Sequence, residues 1–310
     1  MKPKLVISCP ASSRSGYGDH SRDLVRSLIA MNKFDVKILD QVWGGCPRNA
    51  LTLDDKDIHS LFLTQQMTEQ PDIWIQVTVP NEFSPVGKYN IGITAGIETT
   101  QASPQWIEGC NKMDLVIVPS QHSKYTLERS TYDKKNKETD EQIEKLQIKN
   151  SIEVLFEGLD LNYFNKTKEI PETIKETIDN IPEDFCFLYC GHWLDGAMGQ
   201  DRKDTGMTIS DNKTLPSIYL LHGDLEKDEL NGLYNHSKVK AMISFTKGEG
   251  YGRPLAEFSI TGKPVLASNW SGHLDFLSAH GVMIPGKLSK VDKSAVWKDV
   301  IMEESEWFTV

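Results

Sequence analysis

The stretch KGEGYGRPLAEFSITGKPVLASNWSGHLD, Lys247 to Asp275, decides how the rest of the chain is read. It follows a β-branched run ending at Phe245–Thr246, turns at Gly248–Gly252, and opens a helix near Pro254, whose fixed φ suits a first helical turn. A second apolar run, Pro264–Ser268, comes next. Strand, turn, helix, strand is the repeating unit of a parallel sheet, and such sheets bind ligands at the carboxyl ends of their strands. Glu249 falls in the strand-to-helix loop, and Glu257 stands eight positions on, inside the helix. Glycines allow backbone N–H groups to approach an anion at the helix N-terminus, and Arg253 adds a cation. Together these groups suit a phosphorylated polyol, with N–H groups for phosphate and carboxylates for sugar hydroxyls. Spacing alone leaves a second reading open, a solvent-exposed glycine-rich turn whose glutamates cap a helix.

The same alternation extends in both directions. Strands are expected at Lys4–Cys9, Asp35–Leu39, Asp72–Val79, Tyr89–Ile97, Asp114–Pro119 and Ile152–Phe156, then at Phe185–Cys190, Ser217–His222, Lys240–Thr246, Pro264–Ser268 and Gly281–Ile284. Leu24, Val25, Leu28 and Ile29 recur at helical spacing within Asp19–Met31, and further helices are expected at Pro104–Met113, Ser120–Ser130, Lys227–His236 and Pro254–Thr261. The polar, proline-bearing segment Asn165–Asp184 reads as a linker or hinge helix. The implied fold is α/β, with residues 1–165 and 185–310 as two Rossmann-like halves joined by 166–184. The second half is short. Only Asp204–Thr214 stands where a helix, a strand and another helix usually fit, and Trp307–Val310 follows a strand without a closing helix, which indicates a minimal variant or missing segments.

Length and composition exclude several classes. At 310 residues, 39% hydrophobic and 25% charged, the chain is too apolar for disorder and long enough for two cores. No run is long and apolar enough for a membrane helix, and MKPKLVISCP is too short for a secretory leader, so the expected location is the cytoplasm. Cys9, Cys46, Cys110, Cys186 and Cys190 are scattered without CxxC pairs, as free thiols of a reducing compartment are. The net charge of −10 gives no help to nucleic-acid or anionic-lipid binding. The mixed charge run Asp133–Lys149 reads as a solvated helix face or a surface excursion. His122, His222 and His273 lack metal-ligand spacing, and no acidic pair makes a convincing magnesium site.

Several ordered motifs carry a family resemblance. GEGYGRPLAE, TGKPVLAS and the following SG resemble the donor-site signature of the retaining GT-B glycosyltransferases of family four, in which two glutamates are separated by seven residues. CNKMDLVIVPSQHSKYTL (Cys110–Leu127), LFEGLDLNYF (Leu155–Phe164) and YCGHWLDGAMGQDRKDTGM (Tyr189–Met207) resemble further segments of that family in the same order, and the last has the style of small phage-borne members. The resemblance implies a GT-B fold whose active site lies between facing domains, and sugar transfer from a nucleoside-diphosphate sugar, UDP-sugar favoured, without metal or other cofactor. It assigns Glu249 to the donor sugar hydroxyls, Glu257 to the nucleotide ribose, and the backbone around Gly252, Arg253, Pro254 and Leu255 to the sugar and diphosphate. Lys203, with Arg202, would neutralise the leaving diphosphate. Without the surrounding motifs, DRKD would read as an ordinary solvated cluster. The sequence departs from the pattern at Gly191-His192, where an arginine is expected in place of His192, and at Lys203-Asp204, where glycine is expected.

On the acceptor side, Gly16 and Gly18 in ASSRSGYGDHSRDL (Ala11–Leu24) would let a loop close over the diphosphate, with Arg14 and His20 as polar candidates and a surface arginine and a capping histidine as the plainer readings. Glu98, in GITAGIETTQASPQW (Gly92–Trp106), is the expected acceptor-facing carboxylate; a surface glutamate beyond a strand reads equally well. Trp43 and Trp193 offer flat apolar faces that also suit a core. The acceptor would be a glycan, a lipid-linked glycan or a hydroxymethylated base in DNA, the last disfavoured by the acidity. A GT-B epimerase or phosphorylase, and a noncatalytic sugar-nucleotide-binding protein, are the alternatives.

Overall fold

The computed structural model describes residues 2–135, 142–167, 169–181, 185–190, 217–222 and 225–310. The chain divides into two compact units, one of Met1–Leu159, Ile243–Ala256 and Val265–Val310, the other of Asp160–Met242 and Glu257–Pro264.

The first unit is organised by a six-stranded sheet. Its elements are β1 (Lys4–Cys9), α1 (Gly16–Met31), β2 (Asp35–Asp40), α2 (Lys56–His59), β3 (Ile73–Val77), β4 (Tyr89–Ile93), α3 (Pro104–Cys110), β5 (Leu115–Val118), α4 (Gln121–Arg129), the hairpin β6 (Tyr132–Lys135) and β7 (Gln142–Leu146), and β8 (Ser151–Val154). The order is β2-β1-β3-β4-β5-β8, all neighbours parallel. Alternation along β1 sends Leu5, Ile7 and Cys9 to one face with Val25 of α1, Ile38 and Ile58, and Val6 to the other with Trp106, Ile107 and Leu127. Helices therefore cover both faces, which is why the inner strands read as unbroken apolar runs. The strand order reverses between β1 and β3, so the loops leaving those strands flank a crevice of the kind that holds ligands in open α/β sheets.

α1 starts where Ser15 accepts a hydrogen bond from the Gly18 N–H at 3.1 Å and ends at Asn32, in the left-handed region with φ 53°. It begins three residues before the expected start, because the cap lies in the glycine turn itself. The charged run from Asp133 is a two-stranded antiparallel hairpin rather than a helix face. β4 ends at Ile93, four residues before the expected end, and Thr94–Ile97 belongs to the loop that follows.

The second unit contains α5 (Glu172–Asp179), the parallel pair β9 (Phe185–Cys190) and β10 (Ser217–His222), and α6 (Lys227–Asn235). α5 buries Ile174 and Ile178, and the Lys238 ammonium caps its carboxyl end by donating to the Asp179 and Ile181 carbonyls at 2.8 and 2.7 Å. The expected linker thus contains a packed helix.

The chain continues through β11 (Met242–Ser244), α7 (Arg253–Ser259), β12 (Val265–Ser268), α8 (Leu274–Leu277) and β13 (Val282–Ile284), with sheet order β11-β12-β13. An antiparallel pair, β14 (Lys287–Lys290) and β15 (Glu306–Thr309), follows. It is fastened to the rest of the first unit: the Thr100 N–H donates to the Glu306 carbonyl at 2.9 Å, the Glu306 N–H donates to Thr100 Oγ1 at 2.9 Å, and Phe308 stacks parallel to Trp270.

Candidate functional site

The loop leaving β1 is shaped by Arg22. Its guanidinium donates to the Ala11 and Ser13 carbonyls at 2.8 and 2.9 Å and pairs with Asp19 at 2.7 Å. Gly18 packs against the same loop so closely that a Cβ there would lie 2.1 Å from the Ser13 carbonyl oxygen. Gly16 is exposed, and a Cβ added to it would meet nothing within 4 Å. The Arg14 side chain donates to Asn49 Oδ1 at 3.1 Å. The Tyr17 hydroxyl lies 3.1 Å from Thr94 Oγ1 and accepts from the Ala95 N–H at 2.9 Å, tying α1 to the loop after β4, while its ring packs on Trp43 at 4.1 Å. His20 is buried, and burial followed by the nearby Arg253 charge lowers its pKa to about 4, so it is neutral at pH 7.

The glycine loop Gly248–Gly252 lies against the loop after β4, backbone to backbone. A Cβ on Gly248 would meet the Glu98 carbonyl oxygen at 1.9 Å, one on Gly250 the Ala95 carbonyl at 1.8 Å, and one on Gly272 the Gly250 carbonyl at 2.0 Å. These glycines permit a close approach of main chain to main chain. Gly252, with φ +95°, turns the chain into α7. The Glu249 N–H donates to Ser271 Oγ at 2.8 Å and the Glu249 carbonyl accepts from the Gly272 N–H at 2.9 Å, so this residue is fixed at both ends.

Three carboxyls belong to this part of the unit. Glu249 is half-buried, and burial, then the Glu98 and Glu157 charges, push its pKa up to about 7. Glu98 keeps an exposed edge, yet the protein crowding it holds its carboxyl above the ordinary value. Glu157, a few residues beyond β8, has a side chain only 8% exposed, and burial raises it to about 7 against the opposing pull of Arg253. Arg253 donates to Asp23 Oδ2 of α1 at 2.7 Å and stands 3.5 Å from Glu157 Oε2. Asp23 and Glu157 thus flank the Arg253 cation, and Glu249 and Glu98 add carboxyl groups that can accept hydrogen bonds.

Pro254 is exposed, and Leu255 and Glu257 are buried on α7, Glu257 within the second unit. Arg202, Lys203, His192 and Trp193 lie outside the described residues. The first unit therefore brings together Glu249, Glu98, Arg253 and His20 from the expected set, and adds Glu157, Asp23 and Tyr17. Glu157 stands inside LFEGLDLNYF, whose apolar and glycine pattern masks it; Asp23 reads as the polar face of an amphipathic helix. His273 is a buried structural residue, its Nε2 2.7 Å from the Ser268 carbonyl. Among the described residues no three His, Cys, Asp or Glu side chains are grouped to hold a metal ion, and Cys9, Cys46 and Cys110 are free thiols.

Neither a protein-family model nor a curated protein matches the sequence. Solved structures do match in shape. Sucrose-phosphate synthase from Thermosynechococcus elongatus aligns over 92% of this chain and 86% of its own, with a TM-score of 0.58 at 12% identity. A glycosyltransferase from Rickettsia africae covers 89% and 82% at TM-score 0.57 and 13% identity. Anabaena Alr3699/HepE in complex with UDP-glucose covers 88% and 82% at TM-score 0.51 and 13% identity. At such identities the likeness is one of fold, and that fold is the α/β, GT-B class expected from the sequence.

Proposed function

We propose that the protein is a nucleotide-sugar-dependent glycosyltransferase, retaining and metal-independent, using a UDP-sugar and no cofactor. The observation that carries the reading is the grouping of Glu249 with Glu98 and Glu157, the last of them facing Arg253, in a fold shared with a protein solved with UDP-glucose. In this reading Glu249 accepts hydrogen bonds from donor-sugar hydroxyls, and Glu257 holds the ribose. Main-chain N–H groups of Gly252 and Arg253 face the sugar and diphosphate, with Pro254 and Leu255 beside them. Lys203 and Arg202 neutralise the departing diphosphate, His192 belongs with the donor-binding residues, and Gly16 and Gly18 serve the diphosphate as well. Residues 185–310 carry the nucleotide sugar, and residues 1–165 carry the acceptor, with Glu98, Arg14 and His20 nearest to it.

The acceptor hydroxyl attacks from the face the diphosphate leaves, and the departing phosphate oxygen takes its proton. A new bond from the sugar carbon to the acceptor oxygen replaces the bond to phosphate, and UDP carries away the electron pair. Glu249 serves as an acceptor of hydrogen bonds once ionised, so turnover rises as pH passes about 7. The acceptor class is a glycan or lipid-linked glycan, with a hydroxymethylated DNA base less compatible with a net charge of −10. No described helix is long and apolar enough to cross a membrane, and we place the enzyme in the cytoplasm.

Calorimetry with UDP, GDP, ADP and CDP in the presence of a chelator tests the reading. A preference for UDP, with UDP release on adding acceptor and its loss in Glu249→Ala, supports it. Turnover of the sugar nucleotide without acceptor would point to an epimerase. Binding without any turnover would point to a noncatalytic sugar-nucleotide-binding protein.

A further inference from the structure

The Arg253 side chain is engaged on two edges. One terminal nitrogen donates to Asp23 Oδ2 at 2.7 Å and the other stands 3.5 Å from Glu157 Oε2, with the side chain 10% exposed. Carboxylates on two sides balance the cation, so it offers a phosphate less than its charge alone suggests. A planar guanidinium held in this way has its orientation fixed, and a buried side chain so fixed leaves its own main chain little room to move.

What the tie does follows from what lies at its two ends. Arg253 comes directly after Gly252, whose φ of +95° turns the chain into α7 and whose carbonyl accepts from the Leu255 and Ala256 N–H groups at 3.0 and 3.1 Å. The start of the glycine loop is fixed separately, by the Ser271 and Gly272 contacts to the Glu249 main chain. Its end is fixed by Arg253. Asp23 lies within the 16 residues of α1, next to Arg22, whose guanidinium grips the Ala11 and Ser13 carbonyls, and two residues before Val25, which is buried with Leu5 and Ile7 of β1. The tie therefore runs from the turn at Gly252 to a helix packed on the central sheet. Desolvation offsets much of the attraction in a pair this buried, so it contributes a preferred geometry more than it contributes stability.

We infer that Asp23 is a positioning residue for the candidate donor site: through Arg253 it holds the Gly252–Arg253 main chain where its N–H groups meet the sugar and diphosphate. The inference rests on the transferase reading for what those N–H groups meet. Asp23 itself touches no substrate in this account; it acts through Arg253.

The test is calorimetry of UDP on the full chain, with amide exchange of the loop measured in parallel. Asp114→Asn is the control. Asp114 accepts from the Asn90 N–H at 2.7 Å and from Asn90 Nδ2 at 3.1 Å, at the amino ends of β4 and β5, the sheet edge opposite the glycine loop. Asp23→Asn is expected to weaken UDP about tenfold and to speed exchange of the Leu255 and Ala256 amides by a similar factor, while Asp114→Asn changes neither by more than about twofold. Asp23→Glu keeps the carboxylate but moves it by one methylene, and should weaken UDP severalfold; it also serves if Asp23→Asn does not fold. UDP binding like the parent's in either Asp23 variant would overturn the inference and leave the tie a structural one. Equal weakening by Asp114→Asn would overturn it as well, since any loss of stability would then suffice. A parent chain that does not bind UDP would sink the transferase reading and this inference with it, whereas a parent that binds while the Asp23 variants bind equally sinks the inference alone.

Discussion

Arg253, the first residue of the helix after the glycine loop, donates to Asp23, in the middle of the helix after the first strand, at 2.7 Å. The two residues are 230 positions apart, and Glu157 at 3.5 Å from the same guanidinium makes the contact three-sided. Because the side chains of Arg253 and Glu157 are 10% and 8% exposed, water replaces a lost partner poorly.

Removing Arg253 therefore leaves two carboxylates facing one another. Arg253→Ala is expected to cost on the order of 3 kcal/mol, and Asp23→Asn about 1–2 kcal/mol, since Glu157 still faces the cation. Urea melts of both and of the double variant measure the coupling. Additive losses would mean that the pair does not act as a unit.

The pH dependence of stability has a definite sign. A carboxyl raised from 4.5 to about 7 in the fold, as Glu157 is, contributes stability that is full below pH 4.5 and lost as pH rises through about 7. Glu157→Gln imitates the protonated group at every pH. The parent should match this variant near pH 4.5 and fall behind it by on the order of 1–3 kcal/mol at pH 8. His20 and His122, lowered to about 4, act in the opposite sense, with stability present above 6.5 and lost as pH falls through about 4. Comparison of parent and variant at each pH cancels their part; a difference that does not change with pH would remove Glu157 from the buried cluster.

The glycines divide into two kinds, and substitution separates them. Gly250→Ala places a methyl 1.8 Å from the Ala95 carbonyl oxygen, so the two loops must part, and a loss of several kcal/mol is expected by calorimetric melting. Gly16→Ala meets nothing and should stay within about 0.5 kcal/mol of the parent or gain slightly.

Tyr17 offers a milder perturbation of the same loop. Tyr17→Phe leaves the packing on Trp43 and deprives the Ala95 N–H and Thr94 of the hydroxyl, at an expected cost of about 1–2 kcal/mol. If transfer is measured in parallel, its rate should fall more than stability does, because the loop that carries Glu98 is the part released.

Much of this arrangement is legible in the residues alone. The runs at Leu5, Ile7 and Cys9 announce a buried central strand, and the spacing of Leu24, Val25, Leu28 and Ile29 announces α1, although its start at the Ser15 cap lies inside a glycine turn that the spacing does not reveal. The pairing of Glu249 with Glu98 is not legible, since it depends on main-chain contact between loops far apart in sequence, and a glycine does not name its neighbour. Glu157 is hidden for a related reason: its weight comes from burial next to Arg253, and nothing local in FEGLD predicts burial of the glutamate. The Asp133 run is ambiguous because alternating charges suit a solvent-facing hairpin as well as a helix face.

The tie between Thr100 and Glu306 has a kinetic consequence. It closes a loop of 206 residues, and contacts of such separation form late, because the chain entropy they cost is recovered only when the intervening structure is in place. The loop that holds Glu98 should thus acquire its final geometry after the parallel sheet beneath it is complete. In a refolding experiment, protection of the Thr100 amide from hydrogen exchange would trail that of the β1 amides.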